Sequence, residues 1–138
     1  MKDLILKYKG SDYDLSCSET ILYAANEKWN LGLDDSHFRM VAPFSGGLLT
    51  EDVCGIVTAS LSVLGILFTD GVAHQSPVMA DAAKEFLALF MEKLSSINCG
   101  SLKENYRDDT LGCRGIIIEG GLTLEDIVKK YLKIKKFI

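Results

Sequence analysis

From Val53 to Phe68 the chain runs for sixteen residues without a charged side chain, and its apolar positions Val53, Ile56, Val57, Ala59, Leu61, Val63, Leu64, Ile66 and Leu67 fall on every side of a helical wheel. A helix with no polar face has to be covered all round by other elements. The run is shorter than the roughly 20 residues needed to span a bilayer, so the cover is expected to be protein rather than lipid. This predicts an all-α, single-domain helical bundle packed around a central apolar helix over about residues 51–68. A chain of 138 residues with two prolines can supply it, since a domain of that size buries roughly two thirds of its unfolded surface.

The flanking segments supply candidate covering helices. Ser16 followed by Glu19 is a capping-box signal, and Ile21, Leu22, Ala24, Ala25 and Trp29 make an amphipathic helix that stops near Gly32. Asp34 or Asp35 can cap a short helix carrying Phe38, Met40 and Val41, which Pro43 and the Ser45-Gly46-Gly47 turn bring to an end. Ser76 as N-cap with Pro77 opens another helix, whose stripe of Val78, Ala82, Ala83, Phe86, Phe90 and Leu94 suits packing on the central one. Leu4, Ile5, Leu6 and Tyr8 fit a short helix or a strand equally well. The polar stretch 95–114 carries little pattern. Ile116 to Ile118 is too short to type, Gly120-Gly121 is expected to break it, and Thr123 with Asp126 is expected to open a C-terminal helix.

Four cysteines, Cys17, Cys54, Cys99 and Cys113, fall at predicted helix starts or in loops and never in a helix interior. A cysteine kept only for packing behaves as a small hydrophobe inside an element. Each of the four taken alone fits that role as well as any other; all four at element ends favour a shared thiol site. With Ser16 as cap, Cys17 occupies the first helical position, where free backbone N–H groups and the helix dipole are expected to depress its pKa. Cys54 is placed in the first turn of the central helix beside Gly55, with Glu51 and Asp52 opposing its ionisation. Arg114 is expected to favour a thiolate at Cys113. No C-x-x-C pair occurs, so spacing alone names no metal.

The segments Ser16-Cys17-Ser18-Glu19-Thr20-Ile21-Leu22, Phe44-Ser45-Gly46-Gly47, Cys54-Gly55-Ile56-Val57-Thr58-Ala59 and Ile97-Asn98-Cys99, with Cys113 after them, together resemble the redox-active family called C_GCAxxG_C_C after its cysteine pattern. The resemblance covers the chain from about Asp12 to the C-terminal helix. It implies a small, mainly helical protein of anaerobic prokaryotes with a cysteine-centred redox role, related to a domain of a cytochrome that also carries an iron-sulfur centre. The chain departs from the pattern around the second cysteine, where the small residues expected are Val53, Gly55 and Thr58 or Ala59. That touches helix packing more than the thiols, all of which are present.

Three functions are compatible with these residues. In the first, Cys17, Cys54, Cys99 and Cys113 bind an iron-sulfur cluster or another thiolate-loving metal and pass electrons to a redox partner protein. In the second, a thiol-disulfide oxidoreductase uses Cys17 as attacking thiol and a second cysteine, Cys54, to resolve it. In the third, the thiols hold a structural zinc in an interaction module. A net charge of -4 argues against nucleic acid, and neither a membrane span nor a signal peptide is expected, which points to the cytoplasm. A homo-oligomer is left open. His74 and His37 are the only histidines, and His74 is expected to be a solvated loop residue. Asp108-Asp109 and Glu51-Asp52 are expected to be solvated charge, and the lysines 129, 130, 133, 135 and 136 to complement a helix C-terminus.

Overall fold

The computed structural model describes residues 1–137 and is all-helical. Seven helices follow in order: α1 (Lys2–Tyr8), α2 (Cys17–Trp29), α3 (Asp35–Val41), α4 (Gly55–Phe68), α5 (Pro77–Leu94), α6 (Cys99–Tyr106) and α7 (Arg114–Lys136). As its composition demands, α4 is the centre. It packs against α2, α5 and α7, and Ile56, Val57, Ala59, Val63, Leu64 and Phe68 are all buried. Around it Ile21, Leu22, Phe86, Phe90, Leu124 and Ile127 complete one core. Among the described residues no helix is long and apolar enough to cross a membrane.

Local signals set most helix starts. At α2 the capping box is complete: Ser16 Oγ accepts from the Glu19 amide, and Glu19 Oε1 accepts from the Ser16 amide at 3.0 Å. At α3 the cap is Asp34, whose carboxylate accepts from the amides of Ser36 and His37. Those donors, with the Ser36 hydroxyl, hold the Asp34 carboxyl down at about 2. Ser76 is the N-cap residue of α5, with Pro77 first in the helix, but its side chain makes no capping hydrogen bond. Its hydroxyl accepts from the Asp70 amide and donates to Val72 O, each at 2.7 Å, and so ties up the loop before the helix. The ambiguous N-terminal stretch is helix, with Ile5 fully buried.

Two boundaries differ from the sequence expectation. The central helix begins at Gly55, because Glu51 has a left-handed backbone (φ 59°) and residues 52–54 are extended alongside α6. The larger difference is α7, which runs unbroken through Gly120-Gly121. A Cβ on Gly120 would lie 2.3 Å from Ile56 Cγ2, and one on Gly121 would lie 2.3 Å from Ile5 Cδ1. These glycines are therefore grooves for side chains of α4 and α1, and tertiary packing overrides their poor helix propensity. Thr123, expected as a cap, is inside the helix, donating to Glu119 O at 2.8 Å and accepting from Lys93 Nζ. At the far end Lys135 Nζ donates to Leu67 O at 3.0 Å, so a tail lysine serves the C-terminus of α4 as well as that of its own helix.

Candidate functional site

All four cysteines stand at helix N-termini and line one cavity of about 320 Å³. Cys17 and Cys99 are the first residues of α2 and α6, while Cys54 and Cys113 are the N-caps of α4 and α7. The N-termini of four helices, the positive ends of four helix dipoles, thus open onto the same cavity. Cys54 and Cys99 are buried; Cys17 and Cys113 are half-buried, and all four are free thiols.

Backbone pairing of distant segments makes this convergence. The Cys54 amide donates to Ile97 O at 2.7 Å and the Cys99 amide to Asp52 O at 2.6 Å, on either side of a bridge between Val53 and Asn98. The starts of α4 and α6 are thereby stapled together. Cys113 is set by a small closed turn in which the Asp108 and Gly112 amides and carbonyls exchange hydrogen bonds of 2.9 and 2.8 Å. Asp108 Oδ1 accepts from the amides of Thr110 and Leu111, which lowers its carboxyl pKa. Asp108 is thus an Asx-turn residue and more than solvated charge, a role its spacing before Thr110 and Gly112 signals.

Glycines open the remaining space. A Cβ at Gly55 would sit 2.8 Å from Cys17 Sγ and 2.6 Å from Phe44 O; one at Gly47 would sit 2.4 Å from the Cβ of Cys99. Gly47 belongs to a turn of the wrong hand, in which Gly46, Gly47, Leu48 and Leu49 all have φ between 59° and 66°. Each non-glycine residue held there costs about 1–2 kcal/mol. Such strain persists only where the surroundings over-determine it, and here the turn abuts Cys99. The turn thus makes its closest approach to Cys99 at the start of α6 and to the backbone of Asp52.

The electrostatics oppose burial to positive charge. Burial pushes the Cys54 thiol up to about 12, with the charges of Cys17 and Cys99 adding to it and the Ile56 and Val57 amides pulling the other way. Cys99 is raised by burial and by its neighbouring thiols, against Lys103. Cys113 is raised by burial and by Cys17, against Arg107, Lys103 and Lys9. The charge of Cys17 acts on each of the other three. Lys9, Lys103 and Arg107 line the cavity, and among the described residues no acidic residue does. They come from two stretches far apart in the chain, the end of α1 and α6, so sequence reasoning had no local signal for them.

Among the described residues no three His, Cys, Asp or Glu side chains are gathered closely enough to hold one metal ion, so the thiols surround the cavity rather than meet at a point. The histidines are elsewhere. His37 Nδ1 lies 2.9 Å from Asp34 Oδ1 at the start of α3, and His74 is exposed in the loop before α5. Glu51 is exposed and pairs with Lys103 at 3.5 Å.

The model of one protein family, described as "Putative redox-active protein (C_GCAxxG_C_C)", matches residues 15–127, a span that contains all four thiols. No curated protein and no solved structure matches the chain.

Proposed function

The chain belongs to the C_GCAxxG_C_C family of redox-active proteins, and from that membership we propose that Cys17, Cys54, Cys99 and Cys113 hold one iron-sulfur cluster and exchange electrons with a partner protein. The observation that carries this is the opening of four helix N-termini, each bearing a thiol, onto one cavity. Thiolates are the soft donors such a cluster takes, four is its ligand demand, and the cavity is many times larger than a single ion. Bound, a cluster supplies one-electron chemistry at a potential set by net charge, hydrogen bonds and exposure.

The protein's own groups fit that use. Ligation requires deprotonated thiols, and burial works against them at Cys54, Cys99 and Cys113. Helix N-termini with Lys9, Lys103 and Arg107 supply the compensating positive potential. Gly47 and Gly55 leave Cys99 and Cys17 the room they occupy. A reducing compartment such as the cytoplasm suits four free thiols.

A second reading is favoured by the half-buried state of Cys17. Its thiolate would attack a substrate disulfide and release one thiolate; Cys54 would then attack the mixed disulfide, release the second and leave an internal disulfide, two electrons having passed to the substrate. Its weak point is Cys54, whose raised pKa keeps it protonated.

Protein prepared without oxygen separates the readings. The cluster reading expects stoichiometric iron and acid-labile sulfide, visible charge-transfer absorption, and a comparable large loss of iron in each single Cys→Ser variant at 17, 54, 99 and 113. A colourless protein in which only Cys17→Ser and Cys54→Ser abolish disulfide exchange would establish the dithiol instead, and alkylation of Cys17 faster than an ordinary thiol near pKa 8.5 would accompany it. Stoichiometric zinc without redox activity would make the site structural.

A further inference from the structure

The charge around the thiol cavity runs against that of the whole molecule. The chain carries a net charge of -4, yet among the described residues the only charged ones lining the cavity are Lys9, Lys103 and Arg107. They are incompletely neutralised. Arg107 is exposed and forms no ion pair among the described residues, Lys9 donates only to Leu15 O, and Lys103 meets Glu51 at 3.5 Å. Large apolar side chains stand free beside them. Leu111, which lines the cavity, is 50% exposed, and Leu49, on the left-handed turn that abuts Cys99, is 72% exposed.

We propose that this mouth is the docking face for an acidic electron-carrier protein, with Lys9, Lys103 and Arg107 as its charged rim and Leu49 and Leu111 as its apolar contact. The inference rests on the electron-transfer reading and names the chemistry of the partner. A charged rim around a small apolar centre suits the low-area, transient encounters of redox proteins, where complementary potential sets the encounter rate and orientation. A small anion would use the three cations but would gain little from the solvent-facing surface of Leu49 and Leu111.

The test titrates the anaerobically prepared full chain with two acidic carriers, a plant-type [2Fe-2S] ferredoxin and a flavodoxin, and reads binding by amide chemical shifts at several salt concentrations. The expected result is binding that weakens as salt rises, shifts confined to the mouth, and a loss of affinity on the order of tenfold in the Lys9→Glu, Lys103→Glu, Arg107→Glu triple variant. Lys129→Glu with Lys136→Glu, on the tail of α7, should bind as wild type. Should the triple variant fail to fold, Arg107→Glu at its exposed position carries the same comparison with a smaller loss. The proposal is overturned if neither carrier binds, if the rim variants bind as wild type, if the tail variants lose as much, or if citrate displaces the carriers at low concentration as a small-anion site would require. Docking by an iron-free protein would keep this proposal and sink the cluster; iron without docking would do the reverse.

Discussion

Glycine brings distant parts of this chain together at two places, and to different ends. In the middle of the bundle Gly120 and Gly121 sit inside α7, where each is worth about 1 kcal/mol less than alanine as a helix former, and they admit Ile56 and Ile5. At the thiol end Gly47 and Gly55 sit on a left-handed turn and at a helix start, where glycine is at home, and they admit Cys99 and Cys17. The first pair gives up local preference for packing of apolar groups. The second gives up little locally and leaves room for sulfur. Substitution in the middle should therefore register as lost stability, and substitution at the end as a disturbed site in a protein that still folds.

The packed middle should show the largest effect. Leu64 is fully buried on α4, and Leu64→Asp is expected to unfold the protein, since an unpaired buried carboxylate costs several kcal/mol against a total stability of about 5–15. A far-ultraviolet dichroism melt like that of wild type would show that α4 is not central. Gly120→Ala comes next. Its Cβ must displace Ile56 Cγ2 at 2.3 Å, with Phe90 Cε2 at 3.3 Å behind it, for an expected cost of about 1–3 kcal/mol despite the better helix propensity. The double variant with Ile56→Ala should cost less than the sum of the singles. Gly115→Ala, in the same helix with nothing within 4 Å of the new Cβ, should be neutral or stabilising in the same denaturant titration.

At the thiol end the expected signatures are chemical. Cys54 in the folded, reduced, metal-free protein has its pKa raised from 9.0 to about 12. The stability this contributes is complete below about pH 9 and is lost as pH rises toward 12, by up to about 1.4 kcal/mol per pH unit. Cys54→Ala should flatten that decline; an unchanged slope would mean that Cys54 is not the buried thiol it appears here. A smaller change in stability than at Gly120 is expected at Gly55→Ala, where Cys17 Sγ at 2.8 Å can rotate aside, although the backbone Phe44 O at 2.6 Å must shift. Iron content after anaerobic reconstitution should nonetheless fall several-fold. If Gly55→Ala instead melts early and keeps its iron, the two glycine pairs do the same thing.

Elements whose cause is local were legible in the sequence. Ser16 with Glu19, the cap at Asp34, and the faceless run of α4 each act through neighbours within a turn or two, and the thiols were found because none falls in a helix interior, although helix starts at Cys99 and Cys113 were not expected. Gly120-Gly121 was read as a break because what justifies a helical glycine lies across the interface, on Ile5 and Ile56. Lys9, Lys103 and Arg107 were missed for the same kind of reason: a rim assembled from α1's end and from α6 has no signature in either segment alone. Ser76 with Pro77 marked the start of α5, but that its hydroxyl turns back to Asp70 and Val72 rather than to the helix amides had no local signal.

The seating of Ile5 against Gly121, which rests the first helix on the last, fixes when the molecule can exist at all. A ribosome adding about 5–20 residues per second delivers Cys17 many seconds before Cys113 and the helix behind it. Through that interval the earlier thiols belong to an unfinished chain, open to oxidants and to any metal at hand. Whatever the site finally holds is therefore enclosed only after Cys113 and α7 have been made, the latest of the four thiol-bearing helices to leave the ribosome.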